Sequence, residues 1–133
     1  MARIEWHDDM RTGIDVLDAD HQKILTKLNN IVEMVNLGSS KDAIDEAVHL
    51  SVIMVAHITN EIQELQKLSI DNYDDVLKVQ ESFKNQGCEI SKLLVSSPAD
   101  GVALAEALAK SFSSYLMTCG KLLRKKIEQG KTV

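Results

Sequence analysis

The chain is poor in several residue types, and each shortage excludes a class of protein. Of its 133 residues only 2 are cysteine and 1 is proline, and aromatic residues make up 4%. Two cysteines cannot build a disulfide framework, and neither Cys88 nor Cys119 lies in a Cys-x-x-Cys motif, so we expect reduced thiols. The scarcity of proline and aromatic residues favours a helical protein over a sheet protein.

Long apolar runs and an excess of positive charge are lacking too. No window approaches the roughly 18 apolar residues of a membrane span, and the first residues lack the apolar stretch of a secretory signal. The formal net charge of −5 argues against nucleic acid or an anionic membrane as the main partner, because both attract a concentrated Lys/Arg face. We therefore expect a cytoplasmic protein that binds neither.

Apolar residues recur at three- and four-residue steps, which predicts helices. The first stripe ends before Gly38, a suitable residue just beyond a helix C-terminus, and Ser97-Pro98-Ala99-Asp100 has the serine, proline and acid of a helix start. The sequence predicts helices at about 17–37, 40–68, 73–96 and 98–129, after an arm of residues 1–16 whose Trp6 lies across them. Four helices with short turns predict a single all-α domain over 1–133, an up-down-up-down antiparallel four-helix bundle with an N-terminal arm.

Three residues of types that commonly ligate metals fall on the inward stripes of the first two helices. His57 and Glu61 are four residues apart, so on a helix they share one face, and His21 lies on the stripe of the first helix. A carboxylate among apolar neighbours costs several kcal/mol unless a metal, a cation or hydrogen-bond donors satisfy it. The function therefore depends on what satisfies Glu61.

Several of these residues resemble a known family, the bacterial hemerythrins. The family has a tryptophan arm that leads into an aspartate- and histidine-containing helix start, and an H-x-x-x-E motif in its second helix. The resemblance covers nearly the whole chain. The residues that carry it are Trp6, Gly13, Leu17-Asp18-Ala19-Asp20-His21-Gln22-Lys23-Ile24-Leu25, His57 with Glu61, and Glu81 with Phe83 in the third helix.

The resemblance implies an oxygen-binding site of two irons, held by five histidines and two bridging carboxylates, but four of its seven ligand positions are changed here. Val76, Gln80 and Cys119 stand in place of the three histidines of one iron. Arg124 stands in place of a bridging aspartate. His21 and His57 match the histidines of the other iron, and Glu61 matches the remaining bridge. A di-iron centre is therefore not expected, since valine, glutamine and arginine cannot replace these ligands.

Two interpretations of the surviving residues remain. In one, His21, His57 and Glu61 bind a single Fe or Zn ion, with Cys119 available as a fourth ligand. In the other no metal binds, and Glu61 is neutralised by Arg124 or by hydrogen bonds from Gln80 and the histidines. Electrostatics favour the metal-free interpretation, because a guanidinium at the old bridging position repels a dication and attracts Glu61. If the Arg124 guanidinium instead extends into solvent, it repels a bound dication much less and this argument no longer holds.

No motif indicates an enzyme, since the sequence has no nucleophile paired with a base, no phosphate loop and no cofactor fingerprint. We therefore expect a binding or sensory module of the hemerythrin type, metal-free or mononuclear, or alternatively a metal-free scaffold for an unknown protein partner. Gly87 and Gly120 fall inside predicted helices. Each marks either close packing or space for a ligand, and close packing is the commoner reason.

Overall fold

The computed structural model describes residues 4–70 and 74–131, and the described chain is helical. Its long helices are α1 (Asp15–Asn36), α2 (Ser40–Lys67), α3 (Asp74–Ser96) and α4 (Gly101–Lys131), with short 3-10 turns at Asp8–Met10 and Pro98–Asp100. These two ranges contain no strand, which confirms the all-α prediction. Within them, no helix has both the length and the apolar content that crossing a bilayer requires.

The helix boundaries differ from the predicted ones mainly at two starts. α1 begins at Asp15 instead of 17, because the backbone N–H and the hydroxyl of Thr12 both donate to Asp18 Oδ1, at 2.8 and 2.9 Å, and hold the first turn. Residues 98–100 form a separate 3-10 turn, closed by the Asp100 N–H to Ser97 C=O bond of 3.0 Å. α4 therefore starts three residues later than predicted. The predicted first residue of the third helix, 73, lies outside the described residues.

Each helix packs against two others: α1 contacts α2 and α4, and α3 contacts α4 and α2. Paired residues run in opposite order along neighbouring helices. On α1 and α2, Asp20 meets Asn60 at 3.4 Å while Lys27 meets Glu46 at 3.3 Å. On α3 and α4 the pairs are Asp75 with Lys126, at 2.9 Å, and Gln86 with Ser111.

The predicted inward stripes are buried at most of their positions, and Ile90 on the stripe of α3 is partly buried. Leu68, which continues the predicted stripe of the second helix, follows the end of α2 as its C-cap and is 50% exposed. Gly38 takes the predicted position beyond α1 with φ +80°, a conformation that glycine adopts without strain. The stripe of α1 is buried throughout, at Leu17, His21, Ile24, Leu28, Ile31 and Val35.

The N-terminal arm crosses from α1 to α4. The Ile4 backbone exchanges two hydrogen bonds with the Asn29 side chain of α1, at 2.9 and 3.0 Å, and Trp6 packs against the core. Further along, Met10 is buried. A Cβ on Gly120 would lie 2.7 Å from the carbonyl oxygens of both Asp9 and Met10, so only glycine allows the arm to lie this close to α4.

Candidate metal centre

Four helices contribute side chains to one buried polar cluster. His21 comes from α1, His57 and Glu61 from α2, and Gln80 from α3, and all four are at most 3% exposed. The spacing of four residues places His57 and Glu61 on the same face of α2, as the sequence predicted. α4 adds Tyr115 and Cys119, one turn apart and both buried. This list defines the Glu61 cluster: His21, His57, Glu61, Gln80, Tyr115 and Cys119.

Three ligand atoms form a small triangle at the centre of the cluster. His21 Nε2 lies 2.9 Å from His57 Nε2. Glu61 Oε2 lies 2.8 Å from His57 Nε2 and 3.4 Å from His21 Nε2. The predicted convergence of these three residues is therefore confirmed.

Hydrogen bonds alone do not satisfy this triangle. An imidazole Nε2 carries either a hydrogen or a lone pair in the ring plane, never both, and an ionised carboxylate only accepts. If both nitrogens are protonated, their hydrogens face each other across 2.9 Å. If only one is protonated, the other nitrogen turns its lone pair towards a carboxylate lone pair. In every arrangement of the protons with neutral rings, at least one of the three contacts is repulsive.

The other donors of the cluster reach both oxygens of Glu61. Gln80 Nε2 donates to Oε1 at 2.9 Å, and the Cys119 thiol lies 3.2 Å from the same oxygen. The Tyr115 hydroxyl donates to Oε2 at 3.0 Å. The predicted hydrogen bond from Gln80 is thus present, both histidine Nε2 atoms lie within 3.4 Å of Oε2, and Tyr115 and Cys119 add further donors.

The electrostatics keep Glu61 ionised. Burial by itself would raise the pKa of Glu61, but hydrogen bonds from His21 and His57 outweigh it and hold the pKa well below its usual range. Burial lowers the pKa of His21, which favours its neutral form. Burial, together with the neighbouring Glu61 charge, raises the pKa of both Tyr115 and Cys119. Glu61 is therefore an ionised carboxylate that faces the neutral side chains of Gln80, Tyr115 and Cys119.

A carboxylate stands behind one of the two histidines. Asp20 Oδ2 lies 3.6 Å from His57 Nδ1, just beyond hydrogen-bond range, and neither Nδ1 atom of the two histidines has a hydrogen-bond partner within the described chain. A proton on Nδ1 of His57 would be stabilised by Asp20 and would leave Nε2 free to ligate. Asp20 and His57 also line a cleft of about 460 Å³ between α1 and α2, which connects this edge of the cluster with the surface.

Arg124 is not part of the cluster, so the pairing with Glu61 that the metal-free interpretation allowed is not formed. Its Nη1 donates to the backbone C=O of Asp9, at 2.7 Å, and to that of Arg11. The guanidinium neither turns into the core nor extends freely into solvent, because the arm passes beside Arg124 and presents two carbonyl acceptors to it. Since the guanidinium is bound to the arm, the main argument against a metal ion is removed.

Replacing Arg124 with alanine tests this correction. Loss of donors to two carbonyls should cost roughly 1–2 kcal/mol, and the Arg124→Ala, Glu61→Gln double mutant should lose the sum of the two single effects to within about 0.5 kcal/mol. Urea denaturation followed by circular dichroism measures both, with Lys125→Ala, at an exposed position, as the matched control. A coupling above roughly 1 kcal/mol would mean that Arg124 and Glu61 interact after all.

The sequence did not single out Tyr115 and Asp20 as members of the site. Tyr115 fits the apolar stripe of the predicted fourth helix like a core residue, although its position four residues before Cys119 places both on one face of α4. Asp20 directly precedes His21 and therefore points away from it on α1, towards His57 of α2. Val76, at a position where the family has a ligand, is buried in the apolar core.

Comparisons with family models, with curated proteins and with solved structures found no match to this chain. The resemblance to hemerythrins therefore stays a prediction that depends on the residues quoted above.

Proposed function

We propose that this chain is a hemerythrin-like binding or sensory module that holds a single transition-metal ion through His21, His57 and Glu61. The observation that carries the proposal is the triangle of Nε2, Nε2 and Oε2 atoms, which no arrangement of protons on neutral rings satisfies. A cation at its centre would attract all three atoms. Two histidines and one carboxylate are the ligand set of non-haem Fe²⁺ sites and of several Zn²⁺ sites.

The size of the triangle supports this proposal. Metal–nitrogen and metal–oxygen bonds of about 2.0–2.2 Å, at angles between those of an octahedron and a tetrahedron, separate two ligand atoms by about 2.8–3.5 Å. The three measured separations, 2.9, 2.8 and 3.4 Å, all lie in this interval. Asp20 behind His57 supplies the outer carboxylate that metal-binding histidines commonly have.

One ion fits better than two. A second ion in the hemerythrin arrangement would need ligands from Val76, Gln80 and Cys119. Valine has no donor atom, and Gln80 and Cys119 are already engaged with Glu61 Oε1. Reversible oxygen carriage by a di-iron centre is therefore not proposed.

The proposal includes an up-down-up-down antiparallel arrangement of the four helices. Its support is the opposite order of paired residues along α1 and α2 and along α3 and α4, together with the cyclic packing of the four helices. In such a bundle, inward side chains at one level of each helix meet in the core, which is how bundles build metal sites.

A metal-free module is the second candidate, and one observation favours it. Gln80, Tyr115 and Cys119 all donate towards Glu61, so the carboxylate has partners even without a cation. In this candidate the cluster is a buried polar network that stabilises one arrangement of the helices.

Metal analysis of the purified protein distinguishes the two candidates. We expect about one equivalent of iron or zinc per chain, and an ion present at about ten times its Kd should stabilise the fold by roughly 1.4 kcal/mol. Chelator should then lower the melting temperature by roughly 5 °C. A protein that binds neither Fe²⁺ nor Zn²⁺, and whose melting temperature ignores chelator, would support the metal-free candidate instead.

A pair of histidine variants provides the control. His57→Ala should abolish stoichiometric metal binding because it removes one corner of the triangle. His49→Ala should bind metal like the wild type, since His49 lies on the same helix but is exposed and contacts Lys27.

A further inference from the structure

The Tyr115 hydroxyl lies beside the triangle and touches two of its three corners. It is 3.0 Å from Glu61 Oε2 and 3.2 Å from His57 Nε2. We propose that the Tyr115 oxygen is the fourth protein ligand of the bound ion and that Cys119 is not a ligand. This inference depends on the proposed single-ion site and specifies its coordination.

The distances among the four atoms support a common centre. The five measured separations between His21 Nε2, His57 Nε2, Glu61 Oε2 and the Tyr115 hydroxyl run from 2.8 to 3.4 Å. As for the triangle, this is the separation of about 2.8–3.5 Å expected between ligands that share one ion. These five separations therefore allow the phenol oxygen to share one ion with the other three atoms.

Cys119 fits less well, although His21, Glu61 and Cys119 offer ligand atoms within 4.8 Å of one another. Its thiol contacts Glu61 Oε1, whereas both imidazole nitrogens contact Oε2. The thiol therefore lies on the side of the carboxylate away from the imidazoles, where Gln80 Nε2 also contacts Oε1. Cys119 and Gln80 together orient the carboxylate so that Oε2 faces the nitrogens.

Packing fixes the direction of the Tyr115 hydroxyl. The tyrosine ring stacks on Phe83, with centroids 4.4 Å apart and an interplanar angle of 16°, and meets the rings of His21 and His57 edge to face. With Phe112 the ring has four ring neighbours, and it cannot swing away without loss of these contacts. The hydroxyl is therefore held at the cluster whether or not an ion is present.

The resulting set of two imidazoles, a carboxylate and a phenol oxygen selects the kind of ion. Phenolate is a hard, anionic ligand that suits Fe³⁺. Burial raises the pKa of the Tyr115 phenol, whereas a bound cation lowers the pKa of a group that ligates it. On binding, the phenol proton leaves to solvent and the oxygen lone pair forms the metal bond. The site is thereby suited to the ferric ion more than to zinc.

Ferric loading tests the inference by visible spectroscopy. A phenolate bound to Fe³⁺ gives a charge-transfer absorption that histidine and carboxylate ligands do not give. Wild-type protein loaded with one equivalent of Fe³⁺ should show this band, Tyr115→Phe should lose it, and Cys119→Ser should keep it. Circular dichroism and the iron content of each variant are measured on the same samples, so that loss of the fold is not mistaken for loss of the ligand.

Three results would overturn the inference. Wild-type protein that retains one iron per chain without the band would show that Tyr115 does not ligate while the proposed metal site stands. Loss of the band in Cys119→Ser with its retention in Tyr115→Phe, both folded and iron-loaded, would assign the ligand to Cys119. Failure of the folded wild type to retain iron, Fe²⁺ or Zn²⁺ would overturn the proposed function and the inference with it.

Discussion

Replacing Glu61 with alanine should lower the free energy of unfolding by roughly 3–5 kcal/mol, even in chelator. The reason is that the donors around Glu61 would lose their common acceptor inside the core. Gln80, Tyr115 and His57 all contact the carboxylate within 3.0 Å. A buried donor left without a partner costs about 1–3 kcal/mol, and the remaining contact between the Tyr115 hydroxyl and His57 Nε2, at 3.2 Å, offsets only part of this cost.

Urea denaturation of the wild type and of Glu61→Ala, each with metal and with chelator, measures this effect. Glu64→Ala is the matched control, because Glu64 lies one turn further along α2 and pairs at 3.0 Å with the exposed Lys67. Such a surface pair contributes about 0–1 kcal/mol, so the control should change little. A Glu61→Ala loss below about 1 kcal/mol would mean that the cluster does not depend on its carboxylate. Metal binding should disappear in Glu61→Ala and persist in the control.

Gly120→Ala should detach the arm from α4 and destabilise the fold by roughly 3 kcal/mol. A Cβ at this position would lie 2.7–2.8 Å from three backbone atoms of Asp9 and Met10, and backbone atoms cannot move aside as the end of a side chain can. The arm must therefore shift, which exposes Met10 and breaks the Arg124 bonds to the arm carbonyls. The helix propensity of alanine, about 1 kcal/mol better than that of glycine, offsets only part of the loss.

Gly87→Ala provides the comparison. A Cβ there would meet Met54 Cε at 3.7 Å, an ordinary contact, beside a cavity of about 90 Å³ that Gly87 lines. This variant should be neutral or more stable than wild type. Trp6, the single tryptophan of the chain, packs on the core from the arm, so its fluorescence should shift to the red in Gly120→Ala and stay unchanged in Gly87→Ala. An unshifted Trp6 spectrum in a stable Gly120→Ala protein would refute the proposed detachment.

The helices and their inward faces could be predicted from the sequence because apolar spacing reports directly on burial. His21, His57 and Glu61 lie on regular stripes, so their convergence followed from two periodic patterns and the i, i+4 geometry of α2. The close contact at Gly120 could also be predicted in part from the sequence. A glycine inside a helix predicted close packing, although its neighbour is the arm backbone and not another helix.

The behaviour of Arg124 and Tyr115 could not be predicted from these patterns. A helical stripe fixes the direction in which a Cβ points, but the end of an arginine side chain lies several ångströms beyond its Cβ and goes where acceptors are. Those acceptors are carbonyls of the irregular arm, whose path has no periodic signal. Tyr115 fits an apolar stripe through its ring, and the stripe does not reveal the position of its hydroxyl.

The attachment of the arm to α4 also sets an order of folding events. Arg124 and Asp9 are 115 residues apart in the chain, so this contact closes a loop that includes three of the four long helices. Contacts between such distant residues form late, because the chain entropy of closing the loop is lost before the contact stabilises anything. During synthesis, Met10 and the carbonyls of Asp9 and Arg11 emerge before α4 and cannot make their contacts with it until it is complete. The part of the arm that contacts α4 thus joins the fold last, and its amides should be among the first to exchange with solvent.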